Sequence, residues 1–290
     1  MKLFKRNGEL TKQTNNSSIP VKRVKGNAHG THWEHVISDT SKLEQQIVSA
    51  SGLEHLTKLA CQQFADLGEC TVTGHRYDLH PKMSSLFVFV MIDKKRQFAS
   101  GWPILWSTSS VPFKIGDVEE WPIQIECDIN GKVGEAGLSF FPVDYFFSKQ
   151  RYLLGEINEI SLGFITYAQR TNVWKDGKIL DRDGKEISMS QMEAIMPLWM
   201  INEKEHPRQY PDDYRVTGKV LSIEELTILN QPAVISTVSL KPIGTLDVFG
   251  LVKNMDKKPE IGDMIDAVGW LQGRDASMKW NTMKDKNSNE

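Results

Sequence analysis

Cysteine is scarce in this chain: Cys61, Cys70 and Cys127 are the only three in 290 residues. Their number is odd and no two form a CxxC pair, so they read as reduced thiols rather than a disulfide framework. Long apolar runs are missing too. The longest is LFVFVMI, residues 86–92, too short to span a bilayer as a helix and suited to a buried strand. The start, MKLFKRNGEL, is basic but lacks the apolar stretch of a signal peptide. These features predict a cytoplasmic protein of bacterial type with no membrane partner. An excess of one charge is also absent. Thirty-five Lys and Arg stand against 37 Asp and Glu, a net charge of −2, so no global field draws the chain onto nucleic acid. A local basic patch stays open. Finally, the sequence has no GxSxG, HExxH, P-loop or GxGxxG motif. No catalytic residues, cofactor or metal are expected from it.

What is present is an ordinary globular composition, with 8 Trp and 12 Phe to build a core. Residues 1–28 carry seven basic side chains against Glu9 alone, and read as a flexible basic arm. SKLE and SGLE, at 41–44 and 51–54, fit capping boxes. Helical spacing follows to Leu67, with Gly68 as a C-terminal cap, which predicts one or two helices over 41–67. From Thr71 to Gln169 the chain turns β-branched and aromatic, with reversals expected at His80-Pro81, Asp93-Lys94 and Asn130-Gly131. Asp-Gly turns at 176–186 suggest a small hairpin arm. MSQMEAIMPLWM suggests a helix begun by Ser190 and Glu193 and disturbed by Pro197. A second strand-rich block runs from Tyr214 to Arg274.

The two strand blocks share a pattern. NGKV, LSFF, LLGE and LGF (from Asn130, Leu138, Leu153 and Leu162) match TGKV, LDVF, EIGD and VGW (from Thr217, Leu246, Glu260 and Val268) in order. The last Phe of the second element precedes the next Gly by 14 and 13 residues, and that Gly precedes the next by 8 and 7. Residues 126–167 and 215–274 are therefore expected to superpose, with Gly155 over Gly262. KPEIGDMIDAVGWLQGR, residues 258–274, resembles the late strands of OB-type barrels, in which a Gly-acid turn opens a strand that bends at a second Gly. The expected fold is mainly β, α+β overall: two tandem small β-barrel-like units, a helical N-terminal segment and the basic arm. The expected divisions are 1–28, 29–170 with the first unit, 171–213 as insertion and linker, 214–276 as the second unit, and a disordered tail at 277–290.

Three histidines recur at a spacing of three: His29, His32 and His35. On a helix such a trio could hold zinc. Gly26 and Gly30 flank it and no Cys pair lies near, so an extended, solvated entry segment is the favoured reading, with Trp33 and Val36 tucked in. His75, Asp78 and His80 offer the ingredients of a hydrolase without a local nucleophile. What the OB resemblance implies is single-strand binding, in which loop cations meet phosphates and aromatic faces meet bases. The residues in the matching places are Tyr145, Lys149, Arg151 and Tyr152 in the first unit, and Lys253, Lys257, Lys258, Trp270 and Arg274 in the second. The leading expectation is a non-catalytic binding or assembly protein, with a protein partner or self-assembly first and single-stranded nucleic acid second. A defence-related role is compatible with the sequence, which does not demonstrate it.

Overall fold

The computed structural model describes residues 18–24, 29–37, 45, 71–92, 95–122, 124–172, 193–201 and 211–278. Most of the basic arm, the helices expected over 41–67 (Gln45 apart), the arm at 176–186 and the end of the tail lie outside these residues.

The described chain is mainly β. Thr71–His80 (β2), Met83–Ile92 (β3) and Lys95–Leu105 (β4) form an antiparallel three-stranded sheet, preceded by the short Val21–Arg23 (β1). Ser110–Pro112 (β5), Lys114–Glu120 (β6), Cys127–Val133 (β7) and Ala136–Pro142 (β8) follow. The helix Tyr145–Leu154 (α1) then leads into the long strand Glu159–Thr171 (β9). Ala194–Pro197 (β10), the one-turn helix Leu198–Ile201 (α2), Asp213–Ile228 (β11), Gln231–Leu240 (β12), Gly244–Leu251 (β13) and Met264–Asp275 (β14) complete it.

Five strands close a barrel. β11, β12 and β13 form a meander, β14 returns antiparallel to β11, and β9 fills the gap by pairing parallel with β13 and antiparallel with β14. Closure removes the unpaired edges that a flat sheet would expose. The same ladders trace a second circuit. β6, β7 and β8 form a meander, β8 pairs parallel with the far end of β14, and the near end of β9 pairs with β5. Phe113 joins β5 to β6 and donates its N–H to the Asn158 carbonyl at 2.9 Å. β9 and β14 thus belong to both circuits and cross at Gly163↔Gln272, Phe164↔Leu271, Ile165↔Trp270 and Thr166↔Gly269.

Alternation divides the core. Phe140, Phe164, Val248 and Leu271 belong to one buried cluster. Their sequence neighbours Phe141, Ile165, Phe249 and Trp270 point the other way, into a second cluster covered by β2–β4. Trp102 from β4 crosses Phe141 edge-on at 5.2 Å and donates its indole N–H to the Val143 carbonyl. The three-stranded sheet is a lid over the strand crossing.

Four local expectations are corrected. DYFFSKQRYLL is not strand and loop but helix α1, which Gly155 ends at φ 68°, a left-handed backbone that favours glycine. Asn130-Gly131 is not a turn; both lie inside β7, where a side chain at 131 would strike the Phe113 ring and the Lys114 carbonyl. The reversal comes at Gly134 and Glu135. Among the described residues of the helix expected over 189–200, Ala194–Pro197 form strand β10 and Leu198–Ile201 are helical. The histidine segment is not extended but a 3-10 helix, His29–His35, although Trp33 and Val36 are buried as expected. Three residues per turn place positions 32 and 35 on one face.

Candidate functional site: rings and carboxylates at the strand crossing

The 3-10 helix packs against the barrel where β9, β14 and the start of β11 meet. Asp212 and Asp213, both buried, stand at the entrance to β11. Tyr167 lies on β9 at a bulge, since Thr166 faces Gly269 and Ala168 faces Val268. The bulge turns its ring towards the histidines. Tyr167 donates its phenol proton to Asp213 Oδ1 at 2.5 Å, and its oxygen lies 3.0 Å from His32 Nδ1. The proton goes to the carboxylate, the stronger acceptor, so His32 Nδ1 is the donor in that pair. Burial, then the Asp213 charge, holds the phenol well above the usual tyrosine range.

Rings stack on both sides. His32 lies over Trp270 at 4.3 Å and 11°, and His35 lies 4.1 Å from Tyr167. Trp270 donates its indole N–H to Asp212 Oδ2 at 2.6 Å. Burial pushes His35 below the ordinary histidine range; Glu34 opposes that and Lys253 adds to it. At neutral pH His35 is therefore uncharged. Chemically, the cluster holds one imidazole in a fixed tautomer and buries two carboxylates against aromatic donors. Cys127, the described cysteine, is fully buried, and burial keeps its thiol protonated. Among the described residues no group of three or more His, Cys, Asp or Glu is placed to hold a metal ion.

Trp270, Tyr145 and Tyr152, expected as stacking faces, are fully buried. A base cannot stack on a ring already packed on both sides, so these three are corrected to core residues. Lys149 and Arg151 lie on α1 rather than in a loop. Lys149 pairs with the buried Glu120, and Arg151 with the buried Asp275. Lys257 lies 3.9 Å from both Glu260 and Asp263, and Lys258 lies 2.5 Å from Glu225. Lys253 is exposed on the 3-10 helix Val252–Asn254. Arg274 donates to backbone carbonyls and faces Trp106. The nine residues are thus dispersed, and eight of them are buried, ion-paired or tied to backbone. Of the hydrolase set, all on β2, Asp78 pairs with Arg76, and His80 Nδ1 accepts the Lys82 amide at 3.3 Å. The histidine spacing pointed to one element of the cluster. Asp212 and Asp213 had no signal beyond a polar run after Pro211, because their partners are 46 and 58 residues away in sequence.

No described helix is long and apolar enough to cross a membrane. No family model matches this chain, and no curated protein sequence does. Among solved structures, the chain is similar to the cytoplasmic molybdate-binding protein ModG with molybdate bound. That match has 13% identity and a TM-score of 0.28 and covers 57% of this chain and 91% of ModG.

Proposed function

We propose that this chain is a non-catalytic binding or assembly protein built on two OB-type strand circuits, and that its partner is a protein docked at β10 and α2. The observation that carries the reading is an apolar surface on an edge. β10 pairs along one side with β11 and on the other makes a single bridge, Ala194 to Lys241. Met196, Met200 and Ile201, on and just after this strand, are 42%, 67% and 46% exposed. Exposed apolar side chains beside a strand that is incompletely paired among the described residues are what interfaces use and monomers avoid.

The rest of the surface supports binding over catalysis. Tyr167, His32 and Asp213 are bonded to one another, and Lys149, Arg151, Lys257 and Lys258 pair with acids of the same chain. Such pairing weakens the case for a phosphate backbone as partner, since neutralised cations release few counterions.

The test compares the unmodified chain with Met200→Glu/Ile201→Glu in pull-downs from native lysate, with and without nuclease, beside light scattering of the purified proteins. A nuclease-resistant partner, or a self-associated form, lost in the double variant supports the proposal. Capture that nuclease abolishes, or that the variant retains, refutes it.

A further inference from the structure

Trp106, at the head of the loop between β4 and β5, is fixed from two directions. Its amide donates to the Lys82 carbonyl at 2.8 Å, and its indole N–H to Ser84 Oγ at 2.7 Å. Two arginines from different sheets converge on it. The guanidinium carbon of Arg76 on β2 lies 5.3 Å from the ring centroid, and that of Arg274 on β14 lies 5.2 Å from it. Each contact is a cation–π pair. Holding two cations on one indole is costly through their mutual repulsion.

Arg274 is the unusual member. Its terminal nitrogens donate to the Asp275, Met278 and Ser107 carbonyls at 3.1, 3.2 and 3.0 Å. Its Nε is buried without a hydrogen-bond partner. Among the described residues no carboxylate forms a salt bridge with it, because the adjacent Asp275 carboxylate is turned to Arg151 and Ser277. Arg76 pairs with Asp78, whose side chain is 60% exposed. Burial pushes both guanidiniums below the usual arginine range. The Asp144 charge, with those of Tyr152 and Asp275, opposes that shift at Arg274 without a salt bridge, so this mostly buried cation is hydrogen-bonded only to carbonyls and keeps one donor, Nε–H, unfilled. The loop beside it is rich in hydroxyls, Ser107, Thr108, Ser109 and Ser110, and is exposed at Thr108.

We propose that Arg76, Trp106 and Arg274 form a binding site for a phosphate-class oxyanion, reached past Thr108. Arg274 Nε–H is the unfilled donor, Arg76 supplies the second charge, and the indole holds both forks in place. Planar guanidinium forks match tetrahedral oxyanions, which explains arginine rather than lysine at both positions. This site is separate from the β10–α2 edge and does not depend on the function proposed there.

The experiment is titration calorimetry of the full chain at low ionic strength in chloride buffer, with inorganic phosphate, sulfate and adenosine monophosphate as separate arms. Saturable binding of phosphate at one site is expected. Arg274→Gln and Arg76→Gln should each weaken it by roughly tenfold or more, the loss of one charge-assisted contact. Arg274→Lys, which keeps the charge and loses the fork, should fall between. The nucleotide arm separates a free oxyanion from a phosphoryl group on a larger molecule. Thermal melts with and without phosphate check that each variant is folded. Should Arg274→Gln fail to fold, Arg76→Gln, on another sheet, carries the test. Absence of saturable binding in all three arms, or binding unchanged in both Gln variants, overturns the site.

Discussion

Replacing Asp144 by Asn removes a carboxylate that the fold keeps fully buried at the start of α1. Tyr152 donates its phenol to Asp144 Oδ1 at 2.7 Å, and the Asp275 amide donates to Oδ2 at 3.2 Å. These bonds favour the charged form, yet burial outweighs them and the carboxyl is pushed up from 3.8 to about 6. A group whose pKa is higher in the folded state stabilises the fold most when it is protonated. Its contribution is complete below about pH 4 and is lost as pH rises through about 6. Two pKa units at 1.36 kcal/mol each give a loss of about 3 kcal/mol between those limits. That is a large part of the 5–15 kcal/mol typical of a folded domain. Asn cannot ionise. With its carbonyl towards the Asp275 amide and its amino group towards the Tyr152 oxygen, it also keeps both contacts. Asp144→Asn should therefore gain about 3 kcal/mol on the unmodified protein between about pH 4 and pH 7. Urea denaturation across that range measures the difference directly. A difference that stays flat with pH, or falls as pH rises, would refute the reasoning.

Other substitutions test the remaining contacts. Tyr167→Phe leaves the Asp213 carboxylate without its phenol donor and should cost about 1–3 kcal/mol in denaturant titrations; an unchanged midpoint would mean that water replaces the donor at no cost. Gly131→Ala forces a methyl against the Phe113 ring and the Lys114 carbonyl, and should lose about 1–3 kcal/mol. Gly137→Ala, in open space on β8, should stay within about 0.5 kcal/mol, and the pair is read by thermal melting. Lys149→Met should destabilise the fold, although the sequence places this lysine among loop cations expected to meet phosphate. It strips the buried Glu120 of one of its two cations, Arg23 remaining at 3.2 Å; a loss of about 1–3 kcal/mol is expected, and none would mean that Arg23 suffices.

The strand-rich class was legible in the sequence, because alternation of β-branched and aromatic residues is a local property of each segment. Three pairs from the expected repeat can be located in the ladders. Phe141 and Phe249 lie on the third strand of each meander, and Gly155 and Gly262 take positive φ in the turns before β9 and β14. Gly163 and Gly269 mark the crossing. The GKV match falls on different strands, since Gly131 lies on the middle strand of one meander and Gly218 on the first strand of the other. Three residues are too few to tell one strand of a barrel from the next.

Which face each aromatic presents depends on long-range packing. Trp270 is apolar and aromatic in either setting, and its burial follows from β2–β4 covering the crossing, an arrangement no short window encodes. The same holds for charge. Lys149 and Arg151 look like solvated loop cations because Glu120 and Asp275 are 29 and 124 residues away in sequence, and a helix placed over those acids turns them into ion pairs. The Tyr167, Asp212 and Asp213 contacts form for the same reason. Hydrogen bonds and burial depend on distance in space, and the closure of a barrel by β9 sets those distances between segments that the sequence keeps apart.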